Sequence, residues 1–309
     1  MGARVFIDGE AGTTGLEIRE RLASEPSIQV ASIAPEARKD PEARKALMAD
    51  VDLVVLCLPD AAAIEAVALA DALGEKAPKI VDASTAHRVA EGWVYGFPEL
   101  GRGQADAIRT ARRVANPGCY PTGGIALIRP LVDAGMIPHD FPITVNAVSG
   151  YSGGGKSMIE SYEVAGTAPA FELYGLGFEH KHVPELQRYS GLSRRPIFIP
   201  SVGNFRQGML VSVPLHLDAL PSKPTAGDLE ATLAAHYQGS HLVRVVPHAE
   251  TAKLNGRLDA LMLNGSDKLE IYVFANDKLG QAVLVARLDN LGKGAAGAAV
   301  QNIRLMLGL

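Results

Sequence analysis

Cysteine is scarce in this chain of 309 residues: only Cys57 and Cys119 occur. Two thiols cannot staple a chain of this length, so a disulfide scaffold is excluded and a reducing compartment fits. Basic excess is missing too. Lys and Arg number 30 against 34 Asp and Glu, a formal charge of −4, which removes nucleic-acid binding as the main activity. No apolar run approaches the roughly 20 residues of a membrane-spanning helix. The first residues lead directly into Arg4-Val5-Phe6-Ile7, without the apolar segment of a signal peptide. Internal repeats and low-complexity tracts are also lacking. These absences predict a soluble cytoplasmic protein without a membrane or nucleic-acid partner. What remains is 47% apolar and 21% charged, and long enough for two domains with substantial cores.

The first third alternates short apolar runs with helical stretches. Strands are expected at Val5–Ile7, Ile28–Ile33, Leu53–Leu58 and Ile80–Val81. Helices are expected at Thr14–Leu22, Pro41–Met48 and Ala61–Leu73, with Asp60 as an N-cap. The nearly continuous apolar run at 53–58 suits a strand buried on both faces, and βαβ alternation implies a parallel sheet between helices. After Cys119 the strand-like runs cluster: Ile143–Val148, Met209–Leu217, Asp259–Leu263, Leu269–Phe274 and Ala282–Leu288. Few have a helix between them, so a mixed or antiparallel sheet follows. Helices are expected at Ala226–Tyr237 and Ala295–Leu307. The fold class is α/β: an N-terminal Rossmann dinucleotide-binding domain over residues 1–117, completed by 290–309, and an α+β catalytic domain over 118–289. The mixed sheet of the second domain is the expected oligomerisation face, for a homodimer or homotetramer.

Cys119 lies in Asn116-Pro117-Gly118-Cys119-Tyr120-Pro121-Thr122-Gly123-Gly124. Pro121 suits a first helical turn, the apolar positions Ile125, Ile128 and Val132 recur at helical spacing, and Gly135 is a stop signal. The thiol is therefore expected at a helix N-terminus, where the dipole and free N–H groups favour thiolate and make a nucleophile. Cys57, inside an apolar strand, is expected to be inert.

Gly9, Gly12 and Gly15 form G-x-x-G-x-x-G after the first strand, with Thr13 and Thr14 opening a helix. Glycines at that turn let a pyrophosphate approach the helix N-terminus. The second strand ends without the carboxylate that holds an NAD ribose, and Arg38 and Lys39 follow, which favours NADP(H). A second run, Gly150-Tyr151-Ser152-Gly153-Gly154-Gly155-Lys156-Ser157, formally satisfies the Walker A pattern. A P-loop NTPase is therefore a rival reading. It is opposed by the dinucleotide pattern already present in the first domain and by the lack of a later strand ending in a metal-binding Asp. The same loop, with Lys156, is also suited to an acyl phosphate or a cofactor phosphate.

His180-Lys181-His182-Val183-Pro184-Glu185 places two histidines two apart, with a carboxylate behind them. A nucleophilic Cys needs a proton partner, most often His. A metal site and plain loop histidines are the other readings, although further ligands at zinc-like spacing are not evident. Arg88 and Arg206 are candidate anion anchors, because a guanidinium forks onto carboxylate or phosphate oxygens.

These motifs, with Tyr95-Gly96-Phe97-Pro98-Glu99-Leu100 and Asp289-Asn290-Leu291-Gly292-Lys293-Gly294-Ala295-Ala296-Gly297, occur in an order that resembles the N-acetyl-gamma-glutamyl-phosphate reductases of the shorter bacterial type. The resemblance spans the whole chain. It implies NADPH-dependent reduction of N-acetyl-glutamyl 5-phosphate to the 5-semialdehyde, with release of phosphate, in arginine biosynthesis. Cys119 corresponds to the family nucleophile, His180 to the acid/base residue and Glu185 to its partner. Ser152, Gly153 and Asn290 join the expected cofactor contacts. Asn116, Ser149, Arg88, Lys156, Arg206 and His182 are the expected substrate contacts. No metal is implied. Relatives of the longer type carry Arg where Lys156 stands.

Overall fold

The computed structural model describes residues 2–309, which fall into two compact units. The first runs to Pro98 and adds Arg102–Gly118 and Ala295–Leu309; the second joins Glu99–Gly101 to Cys119–Gly294.

The first unit is built on six strands: β1 (Ala3–Asp8), β2 (Ile28–Ala31), β3 (Leu53–Leu56), β4 (Lys79–Asp82), β5 (Val94–Tyr95) and β6 (Arg113–Ala115). They form one parallel sheet in the order β2-β1-β3-β4-β6-β5. The crossover helices are α1 (Thr13–Leu22), α2 (Pro41–Met48), α3 (Asp60–Asp71) and α4 (Gln104–Thr110). Alternation along each strand divides the core. Val5, Ile7, Leu53 and Val55 pack with Ile18 of α1 and Ile303 of the C-terminal helix Gly297–Leu307. Phe6, Val54 and Leu56 point the other way, onto Met48 of α2 and Ala63 and Ala66 of α3. β3 is buried on both faces, as its continuous apolar run requires.

The second unit opens with α5 (Cys119–Asp133), followed by β7 (Thr144–Gly150), α6 (Gly155–Glu163), β8 (Phe171–Leu173), α7 (Val183–Tyr189), β9 (Ile197–Gly203), β10 (Met209–His216), α8 (Ala226–His236), β11 (Val243–Val245), β12 (Leu269–Asn276) and β13 (Gln281–Leu288). Its seven strands are ordered β11-β12-β13-β10-β7-β9-β8. The β11–β12 and β7–β9 pairs are parallel and the other pairs are antiparallel. α5 is buried along nearly its whole length against this sheet. Gly123 and Gly124 make that approach possible. A Cβ on Gly123 would sit 2.7 Å from Cγ2 of Val211 in β10, and one on Gly124 would sit 2.7 Å from Cδ1 of Leu186 in α7.

Several expected boundaries moved. The second strand stops at Ala31, and Ser32 begins the exit loop. Asp60 is the first residue of α3 rather than its cap, and its carboxylate accepts from the Thr85 N–H at 2.9 Å. Asp259–Leu263 is not a strand. The Asp259 carboxylate accepts from the Leu261 N–H at 2.9 Å, an Asx-type turn that competes with sheet pairing. Strand β9 and helices α6 and α7 lie where no element was expected. No helix among the described residues is long and apolar enough to cross a membrane.

The α5 contact gives a stability prediction. Gly123→Val forces a branched side chain into Val211 and is expected to destabilise the fold by about 1–3 kcal/mol through overpacking. A urea midpoint identical to that of the parent protein would show that the close approach is not constraining.

Candidate active site

Cys119 is the first residue of α5, the position its sequence context called for. The preceding segment is braced from behind. Arg88, 7% exposed, donates from Nε to the Asn116 carbonyl at 3.0 Å and from Nη2 to the Ala83 carbonyl at 3.2 Å. The Asn116 carboxamide donates to the Ala295 carbonyl at 3.0 Å and accepts from Asn302 Nδ2 at 3.0 Å. Both residues were expected to touch substrate. Their side chains instead hold the backbone that leads into the cysteine motif, because each is buried and already engaged by backbone or amide partners.

Gly294 presses on the thiol-bearing residue. A Cβ there would stand 2.9 Å from Cβ of Cys119 and 3.1 Å from the Asp289 carbonyl. The turn before it is anchored by Lys293, 1% exposed, whose Nζ meets both Glu99 oxygens at 2.9 and 2.8 Å. Burial pushes the Lys293 ammonium below its usual range, and Glu99 pulls it back up.

Tyr120, next in the chain, donates its hydroxyl to the Ser201 carbonyl at 2.8 Å and receives the Tyr174 hydroxyl at 3.1 Å. Burial drives the Tyr120 phenol far above its ordinary range, and the charges of Tyr174 and Cys119 act in the same direction. Burial raises Tyr174 to about 12; the Tyr120 hydrogen bond opposes this and the Cys119 charge adds to it. Both phenols therefore stay protonated, within electrostatic reach of the thiol.

The histidines join the same cluster. The His180 ring lies 6.2 Å from Tyr120, 5.6 Å from Tyr174, 5.2 Å from Phe198 and 4.8 Å from His182. Burial, aided by the Lys181 charge, lowers His180 to about 4, so it is neutral at pH 7. Its Nδ1 accepts from the His182 N–H at 3.2 Å. An accepting nitrogen carries no hydrogen, so this contact assigns the ring proton to Nε2, and His180 offers a donor there. His182 is the N-cap residue of α7, and its ring lies 6.0 Å from Tyr120. Glu185, 1% exposed, stands in the first turn of α7, where the helix dipole favours a carboxylate. No group of three or more His, Cys, Asp or Glu side chains among the described residues is arranged to hold a metal.

The first three amides of the Gly150–Lys156 loop are taken up by the chain itself. The N–H groups of Gly150, Tyr151 and Ser152 donate to the carbonyls of Gly208 (2.9 Å), Phe205 (2.9 Å) and Arg206 (3.1 Å), which removes these three amides from any anion site. Asn290 fixes the loop by donating to Ser152 Oγ at 2.9 Å while accepting from the Gly208 N–H at 2.9 Å. Ser149 is buried and hydrogen-bonds toward Tyr120, which connects the loop to the cysteine neighbourhood. A Cβ on Gly153 would stand 3.2 Å from Ser149 Oγ and 3.6 Å from Asn290 Nδ2. Lys156 is exposed at the start of α6. Arg206 is half-exposed and forms an ion pair with Glu163.

In the first unit the glycine turn is shaped for a dinucleotide. Gly9 has φ of +89°, and a Cβ on it would meet the Cys57 carbonyl at 2.3 Å; one on Gly15 would meet the Gly9 carbonyl at 2.5 Å. Gly12 caps α1 without a side-chain acceptor, and the first turn, with Thr13 and Thr14, holds no acidic residue. That N-terminus is left to a ligand anion. Arg38 pairs with Glu10, and Lys39 is exposed. Cys57 is pushed up to about 12 by burial, then by Asp82 and Asp8, consistent with an unreactive thiol. Tyr120, Tyr174, Gly294 and the Lys293–Glu99 pair were not recognisable as site elements in the sequence. Each acts by spatial neighbourhood, and no residue spacing signals that.

Fold and cysteine site together define a two-unit oxidoreductase of the semialdehyde dehydrogenase type. The family model described as the semialdehyde dehydrogenase NAD binding domain matches residues 4–108, and the one described as its dimerisation domain matches 119–290. The chain belongs to the family of N-acetyl-gamma-glutamyl-phosphate reductases. It is 53% identical to the protein of that name from Mesorhizobium japonicum over 312 residues, covering all of both chains. It is 51% identical to N-acetyl-gamma-glutamyl-phosphate reductase 2 from Nostoc over 315 residues, covering 99% and 97%. Among solved structures, aspartate semialdehyde dehydrogenase II from Vibrio cholerae aligns with a TM-score of 0.73 at 17% identity, over 100% and 99% of the two chains. The enzyme from Francisella tularensis aligns at 0.72 and 13%, over 99% and 100%. At those identities the likeness concerns the fold.

The depressed His180 value has a consequence for stability. The unfolded imidazole, near 6.5, binds a proton that the folded one refuses until about pH 4. Stability is therefore lost as pH falls through that window. His180→Asn is expected to flatten the fall in thermal midpoint between pH 6.5 and 4; an unchanged slope would mean that His180 is not buried as described.

Proposed function

We propose that this protein reduces N-acetyl-glutamyl 5-phosphate to N-acetyl-glutamate 5-semialdehyde and phosphate through a thioester on Cys119, using NADPH. The observation that carries the reading is Cys119 at the first position of the buried helix α5, its charge acting on the protonated Tyr120 and Tyr174, with the neutral His180 ring packed against both tyrosines. The names of the relatives support the choice of substrate.

The Cys119 thiolate attacks the acyl carbon, the C–O bond to phosphate breaks, and phosphate leaves with the bonding pair. The carbon is then held as a thioester. Gly9, Gly12, Thr13, Thr14 and Gly15 would hold NADPH, which when bound would supply the hydride for this carbon. Nε2–H of His180 donates to the oxygen as negative charge develops there. Collapse of the thiohemiacetal breaks the C–S bond, releases the aldehyde and restores the thiolate. Splitting the reduction in this way avoids hydride attack on a carboxylic derivative in water. Since His180 already carries its proton on Nε2, its role is donor to the oxygen rather than acceptor from the thiol. Ser152, Gly153 and Asn290 complete the cofactor side. Ser149, His182 and Lys156 face the substrate, with Glu185 supporting the histidine pair.

Assembly is the second part of the proposal. Leu210, Ser212 and Pro214 alternate with Val211 and Val213, which are buried on the α5 side of the sheet. The opposite face therefore presents Leu210, Phe274 and Val283 to a second copy of the chain, consistent with a domain described as dimerising. Leu210→Asp is expected to shift the mass measured by light scattering from dimer or tetramer to monomer. A parent protein that is monomeric at micromolar concentration would sink this part of the reading.

The chemistry is tested by phosphate-dependent NADP reduction with the semialdehyde. Cys119→Ser is expected to abolish turnover while leaving the NADPH dissociation constant nearly unchanged. His180→Asn is expected to lower kcat by about 10²–10⁴ with little change in KM. Retained turnover in the serine variant would exclude the covalent route.

A further inference from the structure

Lys293 is 1% exposed and takes no part in the chemistry above. A buried ammonium needs an opposite charge, and Glu99 supplies it, with Nζ 2.9 and 2.8 Å from its two oxygens. Glu99 is 194 positions away in the chain, and its backbone is held in turn, its carbonyl 3.1 Å from His236 Nε2 on α8. Asp267 is a second negative charge that acts on the ammonium. Stability alone does not call for such a pair, because apolar residues of similar volume often serve as well or better. What the pair adds is direction. Nζ must reach both carboxylate oxygens, and that fixes where the Lys293 backbone lies.

That backbone belongs to a single π-helical turn, Gly292–Ala296. The Gly294 N–H donates to the Asp289 carbonyl at 3.0 Å, five residues back, a wider winding than that of an α-helix. Asp289 fixes the start of the turn. Its buried carboxylate accepts from the Leu291 N–H at 2.9 Å, the Gly265 N–H at 2.7 Å and Gln207 Nε2 at 2.9 Å. The turn is pressed from two sides. A Cβ on Gly292 would collide with the Ser266 carbonyl, and one on Gly294 would stand 2.9 Å from Cβ of Cys119. Backbone that close leaves the cysteine side chain little room to change rotamer.

We propose that Lys293 is a positioning residue for Cys119: paired with Glu99, it locks the π-helical turn so that the Gly294 backbone confines the thiol to one orientation. Asp289 secures one end of this wall and Lys293 the other. The inference rests on the covalent reading above, in which a misplacement of the attacking atom by about 1 Å costs about 10² in rate.

The test compares the full-length parent with Lys293→Met, with the double variant Lys293→Met/Glu99→Met, and with Gly294→Ala. It reads the thermal midpoint, kcat and KM for NADP reduction, and the rate at which iodoacetamide alkylates Cys119 at pH 7, located by peptide mass. Lys293→Met alone is expected to lower the midpoint, because Glu99 loses the cation opposite it. The double variant removes both charges, so its midpoint is expected to return to that of the parent. Its kcat is expected to stay lower by about tenfold or more, with KM within about twofold. Alkylation is expected to slow by about threefold, because a thiolate turned from the first turn of α5 loses the help of the helix dipole. If the double variant matches the parent in kcat and in alkylation, the pair is packing alone and the inference is overturned. Gly294→Ala moves the same wall directly and is expected to lower kcat and slow alkylation in the same way. Parent-like values in Gly294→Ala overturn the inference even where the Lys293 variants fail to fold. Alkylation does not depend on which acyl phosphate is the substrate, so these outcomes leave the substrate reading standing. A parent protein whose Cys119 resists iodoacetamide altogether overturns the covalent reading as well.

Discussion

The reactive half of the molecule depends on one steric fact: α5 lies closer to its neighbours than side chains at positions 123 and 124 would permit. Gly123 meets Val211 of β10, and Gly124 meets Leu186 of α7. The second contact matters as much as the first. α7 carries Glu185 in its first turn and His182 at its N-cap, and His180 lies just before. One pair of glycines thus sets the depth of the helix that starts with Cys119 and the distance to the element that carries the histidines. Thiol and imidazole are far apart in sequence, yet they share a common packing determinant. The Gly294 contact with Cys119 then closes the third side, with Lys293 and Glu99 as its buried anchor.

Desolvation sorts the protonation states around that thiol. Burial opposes charge on every titratable group, but with opposite consequences for acids and bases. It raises Tyr120 and Tyr174, which remain phenols, and it lowers His180, which remains a neutral imidazole. The cluster therefore consists of uncharged donors already in place. Such donors cost little reorganisation when negative charge appears on a substrate oxygen, and in a water-poor site they act more strongly than in bulk solvent. A histidine poised near neutrality would alternate between donor and acceptor; one held near 4 with Nδ1 engaged is committed to donation.

The α/β half was legible in the sequence because its signals are local. Apolar runs with period two, glycines at a strand exit and Pro121 near a helix start each act within a few residues. The position of Cys119 was readable for the same reason. Boundaries failed where a polar side chain captured the backbone: Asp259 turned an expected strand into a bend, and the Asp60 carboxylate went to Thr85 instead of capping α3. Arg88 and Asn116, expected at the substrate, hold backbone carbonyls that adjoin the motif. Whether a guanidinium grips substrate or its own chain depends on burial, and a sequence position does not encode burial for a single Arg.

The chain contains two glycine-rich loops, each following a strand and each opening a helix, and the difference between them shows what a motif leaves unsaid. Around Gly150 the glycines serve packing. A Cβ at Gly150 would strike the Arg206 carbonyl at 2.5 Å, and the neighbouring amides are hydrogen-bonded to the 205–208 segment. Around Gly9 the glycines also relieve crowding, and the turn closes on itself through Gly12 N–H to Gly9 O, at 3.0 Å. The helix behind it starts without a side-chain cap or an acidic first turn. α6, behind the Walker-like loop, likewise starts without a side-chain cap or an acidic first turn, so what separates the two loops is the pairing of the Gly150–Ser152 amides with the 205–208 segment. Glycine spacing records that a backbone must pass through a tight place. Phosphate binding requires in addition that the amides emerging from it be left without an acceptor, and that depends on what the rest of the fold packs against the loop.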